Sequence, residues 1–382
     1  MTERLSAQIA FLKEADKLKR VNRANLLLDL SRPENAAEHC WHLALYALVF
    51  APLANPDVSI ARVIRMLLLH DLVEIEVGDH PIHEDHDWAA IAAAEERAAE
   101  RLFGMLPADQ VPQFLDLWRA FEAEACPDAR FAKQLDRCQP IFQVLCAQSP
   151  VPAHVQIVRD NLSTGRAAPM REDFPQAYHH ALSLLGEATQ RDTQEVARRL
   201  AFLCEADRLK SVYRASRLLD DSRRENSAEH SWHAMLYAWV LADHAAPGVQ
   251  IDRVLSMLML HDIVEIDAGD APIHGQSDPT LMAAKEDAAA GRLFGLLPPD
   301  QTREFNALWR EFEAADTSDA VFAKAIDRLH PPIANLQNGG GSWVEYDVTM
   351  EQLDQRVGVP VQKGAPDVWA WLRPQVRSAL SR

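Results

Sequence analysis

Cysteine is scarce and unpaired in this chain: five residues in 382, at Cys40, Cys126, Cys138, Cys146 and Cys204, with no C-x-x-C spacing among them. That excludes a disulfide scaffold and a thiolate zinc site, and leaves free, mostly buried thiols suited to a reducing compartment. Long apolar runs are missing too. No uncharged stretch reaches the ~20 residues a bilayer span requires, and the opening Met1-Thr2-Glu3-Arg4-Leu5 enters an amphipathic helical pattern with no apolar signal core. The expectation is a cytoplasmic protein without a membrane partner. Positive charge is in short supply: 39 lysines and arginines against 56 acidic residues give a net charge of −17. Such a surface repels polyanions, so duplex nucleic acid is not an expected partner. Alternating apolar and polar strands with paired turn signals are also absent, which argues against an all-β or α/β fold.

What is present is a soluble globular composition, 48% apolar and 25% charged, in a chain too long for one ordinary core. The length is explained by a repeat. A shift of 191 residues aligns Glu34-Asn35 with Glu225-Asn226, His70-Asp71 with His261-Asp262, Phe103-Gly104 with Phe294-Gly295, Trp118 with Trp309, and Asp136-Arg137 with Asp327-Arg328, without a gap. Between residues 70–83 and 261–274, 10 of 14 positions are identical. A period this long marks whole domains rather than a solenoid. The reading is two copies, residues 1–190 and 191–382, packed as an intrachain pseudo-dimer because fusion makes association intramolecular. Further homo-oligomerisation is compatible with this arrangement.

Within each copy the periodicity is helical. Ile60, Val63, Ile64, Leu67 and Leu68 recur at i, i+3, i+4, i+7 and i+8, as do Ile251, Val254, Leu255, Leu258 and Met259. Asn35-Ala36-Ala37-Glu38 and Asn226-Ser227-Ala228-Glu229 read as capping boxes. Gly78 and Gly269 stand where a helix end favours positive φ, and Leu106-Pro107 and Leu297-Pro298-Pro299 break the chain again. The fold class is all-α: two tandem helical bundles.

The chemistry concentrates at His70-Asp71, expected mid-helix behind a hydrophobic run, with Glu74 one turn on. Two ionisable side chains against an apolar helix are costly unless compensated. A shared divalent ion compensates them, and imidazole with carboxylate suits transition metals. His39, in the first turn of its capped helix, and Asp136, inside Phe131-Ala132-Lys133-Gln134-Leu135-Asp136, are the further ligands expected from neighbouring helices. The second copy repeats the set as His230, His261, Asp262 and Asp327.

This ordered H…HD…D pattern resembles the HD-domain metal-dependent phosphohydrolases. The motifs Asn22-Arg23, Arg32-Pro33-Glu34-Asn35-Ala36-Ala37-Glu38-His39, His70-Asp71-Leu72-Val73-Glu74, Gly78-Asp79 and Leu135-Asp136-Arg137 are similar to the branch containing the bacterial 5′-deoxynucleotidases. The resemblance implies two tandem HD domains with one divalent ion each (Mn, Co, Zn, Fe, Ni or Mg), held by His39, His70, Asp71 and Asp136, and by His230, His261, Asp262 and Asp327. It further implies that such an ion activates water and polarises phosphate. Glu74 and Glu265 would orient or deprotonate the attacking water, and Asp79 and Asp270 would act as second acid/base or hold the sugar. Arg23 and Arg214 would clamp the phosphate with a guanidinium fork. The implied activity is a 5′-nucleotidase acting on nucleoside or deoxynucleoside 5′-monophosphates.

Plainer roles stand beside these. Glu74 and Glu265 can support a ligand histidine, and Arg23 and Arg214 can be surface charges facing acidic neighbours. Lys133 and Lys324 can touch phosphate but fit better as solvated lysines or members of structural ion pairs, and Phe103, Trp118 and Phe121, with Phe294, Trp309 and Phe312, read as core. The pairs His42/His233 and His83/His274 are the available extra ligands for a second metal, which a di-iron HD-type oxygenase would need; structural or substrate-edge roles fit them better. A nucleotide sensor with weak turnover is a third reading, though a pure binder has no need of Glu74 and Asp79. The copies differ at Asn338-Gly339-Gly340-Gly341-Ser342-Trp343 against Ala147-Gln148-Ser149-Pro150-Val151-Pro152, and at Lys285 against Ala94. These differences favour the second copy as the more active.

Overall fold

The computed structural model describes residues 2–80, 86–187, 193–276 and 278–381. The chain forms two compact units. The first unit comprises Lys17–Arg208 with Leu296–Gln301; the second comprises Met1–Asp16, Leu209–Gly295 and Thr302–Arg382. Each unit therefore contains the body of one repeat and the opening helix of the other. Thr2–Ala15 belongs with the second unit and Gln194–Ala206 with the first. The sequence boundary at 190/191 lies outside the described residues. Among the described residues no helix is long and apolar enough to cross a membrane.

Helices dominate both units among the described residues, and a first departure from the helical expectation is local. Asn22–Leu26 pairs antiparallel with Pro33–Asn35, and Tyr213–Arg217 with Arg224–Asn226, giving one two-stranded hairpin per unit. Strands of five and three residues are too short to show a period-two pattern in sequence. The hairpin matters because its first strand carries Arg23 or Arg214.

The hairpin runs straight into the central helix, Ala36–Phe50 in the first unit and Ser227–Val240 in the second. Both begin with complete capping boxes: Asn35 accepts from the Glu38 backbone while Glu38 accepts from the Asn35 backbone, and Asn226 and Glu229 do the same. The capping glutamates are fully buried and are held by Arg32 and Arg223 respectively. This clamp fixes where the helix starts, and with it the position of His39 or His230 in the first turn. Ala36–Phe50 is apolar nearly all round and buried nearly all round, the signature of a helix inside a core.

Ile60–Leu69 and Ile251–Leu260 pack on the central helices, burying one apolar stripe: Val63, Ile64, Met66, Leu67, Leu68 and Leu69 in the first unit. The sequence places His70-Asp71 mid-helix; the structure corrects this. The α-helix ends at Leu69, His70 is its C-cap, and a tight turn leads to the short helix Glu74–Val77. His70 keeps helical dihedrals, φ −57° and ψ −40°, and the backbone tightens after it, with Leu72 N–H donating to the Leu69 carbonyl and Glu74 N–H to the Asp71 carbonyl. Gly78 and Gly269 close the short helices at φ 79°, a conformation that favours glycine. A long helix, Pro127–Leu145 or Ser318–Gln337, completes each core and carries Asp136 or Asp327.

Candidate active site

Four elements meet around one point in each unit: the hairpin, the start of the central helix, the turn after the stripe helix, and the middle of the long helix. In the first unit His39 Nε2 lies 3.2 Å from Asp136 Oδ1, and His70 Nε2 lies 3.1 Å from Asp71 Oδ1 and 3.9 Å from Asp136 Oδ1. Donor atoms of His39, His70 and Asp136 all fall within 4.8 Å of one another. The second unit reproduces this: His230 Nε2 to Asp327 Oδ1 is 3.1 Å, and His261 Nε2 to Asp262 Oδ1 and Asp327 Oδ1 are 3.1 and 3.8 Å.

The tautomers of the His-Asp histidines are set by the backbone. His70 Nδ1 donates to the Leu67 carbonyl at 2.9 Å and His261 Nδ1 to Leu258 at 2.8 Å. A neutral imidazole protonated at Nδ1 presents a lone pair from Nε2. Both Nε2 atoms are buried and without a hydrogen-bond partner, although carboxylate oxygens stand close by. Lone pair facing carboxylate is repulsive, and a cation between them removes the conflict. Trp118 Nε1 donates to the His70 carbonyl at 3.2 Å, which gives this core aromatic a further task in fixing the turn.

Arg23 and Arg214 lie in the site rather than at an outer surface. Arg23 Nη1 is 2.9 Å from Asp71 Oδ2 and 3.7 Å from Asp79 Oδ1; Arg214 Nη1 is 2.5 Å from Asp262 Oδ2, 3.7 Å from Glu265 and 3.9 Å from Asp270. Burial works against the Arg23 charge, but Asp71, Glu74, Asp79 and Asp136 outweigh it and hold the guanidinium firmly protonated. One guanidinium against four carboxylates leaves the site short of positive charge. Imidazole nitrogens, carboxylate oxygens and this deficit together fit a borderline divalent cation.

The carboxylates divide into two groups. Asp136 is held well below the usual carboxylate range: burial opposes its charge, but the His39 hydrogen bond and the nearby His70 and Lys133 prevail. Burial pushes Glu74 and Glu265 well above theirs, reinforced by Asp71 and Asp262, with Arg23 and Arg214 pulling the other way. Asp79 and Asp270 are raised for the same first reason, burial. Carboxyls pushed apart in this manner are suited to different tasks, one set as anionic ligands and the other as proton carriers.

Glu265 differs from its counterpart in its support. Ser227 Oγ donates to Glu265 Oε2 at 2.6 Å; the equivalent residue in the first copy is Ala36, and Glu74 Oε2 is buried without a partner.

Repeated matching to a single family accompanies this repeated geometry: the HD-domain model aligns with residues 15–178 and again with 206–369. The chain belongs to the HD-domain family. Human and bovine proteins named 5′-deoxynucleotidase HDDC2 are 30% and 31% identical to one HD repeat over 136 residues, covering 35% of this chain and 65% of their own length. The Schizosaccharomyces pombe 5′-deoxynucleotidase hdd1 is 23% identical over 141 residues, 36% of this chain and 70% of its own. The chain thus spans about two thirds of the length of the curated relatives it matches. A solved structure from Magnetospirillum magnetotacticum, described as a predicted metal-dependent phosphohydrolase, is 45% identical and covers 49% of this chain and 96% of its own, with a TM-score of 0.46.

Residues outside the ligand set fall into place within the HD repeats. Lys133 pairs with Glu122 at 3.0 Å over the Phe121 ring, and Lys324 with Glu313 at 3.0 Å over Phe312. His42 and His233 donate through Nε2 to the carbonyls of Leu203 and Leu12, at 3.0 and 2.9 Å. Burial, with Arg356 and Arg328 nearby, pulls His274 down to about 4; His83 lies outside the described residues.

The clefts beside the two sites differ. The second unit encloses about 160 Å³, walled by Trp343 and Tyr346. The glycine turn that brings Trp343 there is locked by Asn335 and Ser342, which bond each other through side chain and backbone at 3.0 and 3.3 Å. In the first unit Val144 replaces Asn335, no such turn forms, and the cleft widens to about 690 Å³ with Ile157, Val158, His154 and Arg166 on its wall. Three contributors escaped sequence reading: Ser227, His330 and the paired Glu34/Glu225. Ser227 and His330 are positions where the copies disagree next to a motif, and that disagreement was the signal available.

Proposed function

We propose that the protein is a divalent-metal-dependent phosphomonoesterase, a 5′-nucleotidase acting on nucleoside or deoxynucleoside 5′-monophosphates. One ion per repeat would be held by His39, His70, Asp71 and Asp136, and by His230, His261, Asp262 and Asp327. The observation that carries this reading is the convergence, twice in one chain, of two histidines and one aspartate whose donor atoms lie within 4.8 Å of one another, with a second aspartate 3.1 Å from the His-Asp histidine, an arginine on that aspartate, and an unpartnered histidine Nε2 at the same place. The names of the HDDC2 relatives support the substrate class.

A bound divalent ion supplies Lewis-acid polarisation of the phosphoryl group and acidifies water. The chain's own groups supply the rest. Arg23 or Arg214 binds a phosphoryl oxygen and neutralises charge as the P–O5′ bond breaks. Glu74 or Glu265, its proton affinity raised by burial, takes the proton of the attacking water. Asp79 or Asp270, also raised, returns a proton to the leaving 5′-oxygen. In the second unit Trp343 and Tyr346 offer aromatic faces to a base, and the enclosed cleft favours this copy as the more active.

The test is phosphate release from a panel of nucleoside monophosphates with Mn²⁺ or Co²⁺, using the full chain, a His70→Ala/Asp71→Ala variant, a His261→Ala/Asp262→Ala variant and the combination of the two. Hydrolysis that survives in the first variant and is lost when both pairs are replaced is expected. Metal-replete protein that hydrolyses none of the panel would refute the proposal.

A further inference from the structure

Behind the ligand histidine of the second repeat lies a row of buried side chains that the reaction does not use. His230 Nδ1 is 3.2 Å from His330 Nδ1, His330 Nε2 is 3.0 Å from His233 Nδ1, and His233 Nε2 is 2.9 Å from the carbonyl of Leu12. All three rings are buried, with relative exposures of 0, 1 and 0%. Glu225 and Asp16 flank the row at 3.6–3.7 Å.

The end of the row fixes its direction. A carbonyl oxygen only accepts, so His233 must carry its proton on Nε2. With the ring neutral its Nδ1 is then an acceptor, and the proton between His330 and His233 belongs to His330 Nε2. His330 Nδ1 is an acceptor in turn and takes the Nδ1 proton of His230. The result is that His230 Nε2 presents a lone pair toward Asp327, 3.1 Å away. Run in the opposite sense, the chain would set a His233 lone pair against the Leu12 carbonyl.

We propose that His330 and His233 are positioning residues of the second repeat: a three-histidine hydrogen-bond chain, anchored on the Leu12 carbonyl, that locks His230 in its metal-binding tautomer and raises its basicity. The inference rests on the metal reading given above. The chain also explains why the same four residues, Asp16, Glu225, His233 and His330, although close enough to share an ion, serve better as support. An ion on His330 Nε2 would push the His330 proton to Nδ1, and His230 would then have to carry its own proton on the nitrogen that faces Asp327.

The first repeat supplies the natural contrast. Gln139 stands in place of His330 and gives its amide hydrogens to Gln143 at 2.8 Å and Glu34 at 3.5 Å. His39 Nδ1 is buried and makes no hydrogen bond, its nearest carboxylate oxygen, on Glu34, being 3.4 Å away. His42 keeps its bond to Leu203, so the two ends of the row survive and only the middle is missing. The two metal sites should therefore hold the same ion with unequal strength, the second more tightly.

The test has two parts. Histidine-selective ¹⁵N spectra of the metal-free full chain, assigned by comparison with His330→Gln, are expected to show Nδ1-protonated His230 and Nε2-protonated His330 and His233. A His230 protonated on Nε2 would overturn the chain, and this measurement needs no variant to be well folded except for assignment. In a His70→Ala/Asp71→Ala background, Co²⁺ competition against a chelator is expected to show His330→Gln weakening the remaining site by about 10–100-fold, the range for loss of a partner behind a ligand. Unchanged Co²⁺ affinity would overturn the positioning role, as would two Co²⁺ ions bound per second repeat with His233 and His330 as ligands. A chain that shows the three expected tautomers but takes up no Co²⁺ in either repeat refutes the metal reading and not the hydrogen-bond chain.

Discussion

Ser227→Ala is the perturbation that isolates Glu265, the proposed proton carrier of the second repeat. The hydroxyl is fully buried and donates to Glu265 Oε2 at 2.6 Å, a hydrogen bond to a group that is charged when it acts as a base. Such bonds contribute about 1.5–3 kcal/mol, and about 1.4 kcal/mol corresponds to one pH unit. Removing the donor destabilises the carboxylate relative to the acid, so Glu265, already raised by burial and by Asp262, moves further up by about 1–2 units. If ionised Glu265 accepts the water proton, the acidic limb of kcat/KM against pH shifts to higher pH by that amount, while the rate at the plateau changes little. The assay is nucleotide hydrolysis across pH in a His70→Ala/Asp71→Ala background. The first copy gives the reverse experiment: Ala36→Ser, with His261 and Asp262 replaced by alanine, supplies a donor to the unpartnered Glu74 Oε2 and moves its limb down. An acidic limb that stays within about 0.3 units in both variants refutes the assignment of these glutamates as bases.

Arg214→Ala should lower kcat/KM by about 10–100-fold, the equivalent of a lost charge-assisted bond to phosphate, with Arg214→Lys restoring little because one point charge does not replace the fork. Since the guanidinium sits 2.5 Å from Asp262 and repels a cation there, metal retention should hold or rise in Arg214→Ala; a fall, read by elemental analysis after dialysis, would mark Arg214 as structural instead. His274, lowered to about 4 by burial and by Arg356 and Arg328, stays neutral in the folded chain while the unfolded chain protonates it near pH 6.5. The unfolded state therefore binds the extra proton between about pH 6.5 and 4, and stability falls as pH drops through that window. Because the ring is partly exposed the loss is about 1–2 kcal/mol; His274→Gln should flatten that part of a denaturation-against-pH curve, and an unchanged slope would contradict it.

The candidate ligand residues stand out in the sequence because their pattern is local and doubled: capped helix starts, His-Asp after an apolar stripe and an aspartate in a long helix all recur at a spacing of 191. What stayed hidden depends on geometry that short segments do not announce. The hairpin bearing Arg23 has strands too brief for a period, and the end of the helix at Leu69 leaves no glycine or proline at that position to mark it. His330 lies in the long helix Ser318–Gln337, three residues past Asp327, with no motif around it. Its meaning appears only when the Leu12 carbonyl, far away in sequence, arrives at His233.

That arrival bears on how the repeats can be separated. Leu12, Gln8 and Asp16 bond His233, Val240 and the Leu219 backbone within the second unit, yet the sequence repeat assigns them to the other copy. The crossing points, Asp16/Lys17 and Arg208/Leu209, fall inside short helices, Asp16–Arg20 and Asp207–Ser211, that continue the preceding helices without a loop. A chain of residues 193–382 lacks Thr2–Ala15 but carries the matching helix, with Phe202, Leu203, Ala206 and Asp207 in place of Phe11, Leu12, Ala15 and Asp16. In the full chain that helix belongs with the first unit and Thr2–Ala15 with the second, so in the fragment the seat of Thr2–Ala15 is open to the matching helix of a second copy. The isolated second repeat is therefore expected to form a helix-exchanged homodimer, with His233 bonding Leu203 of the other copy. Light scattering on the eluted fragment decides it: a monomer with undiminished Co²⁺ affinity would show that the connection bends freely and that the exchange is incidental.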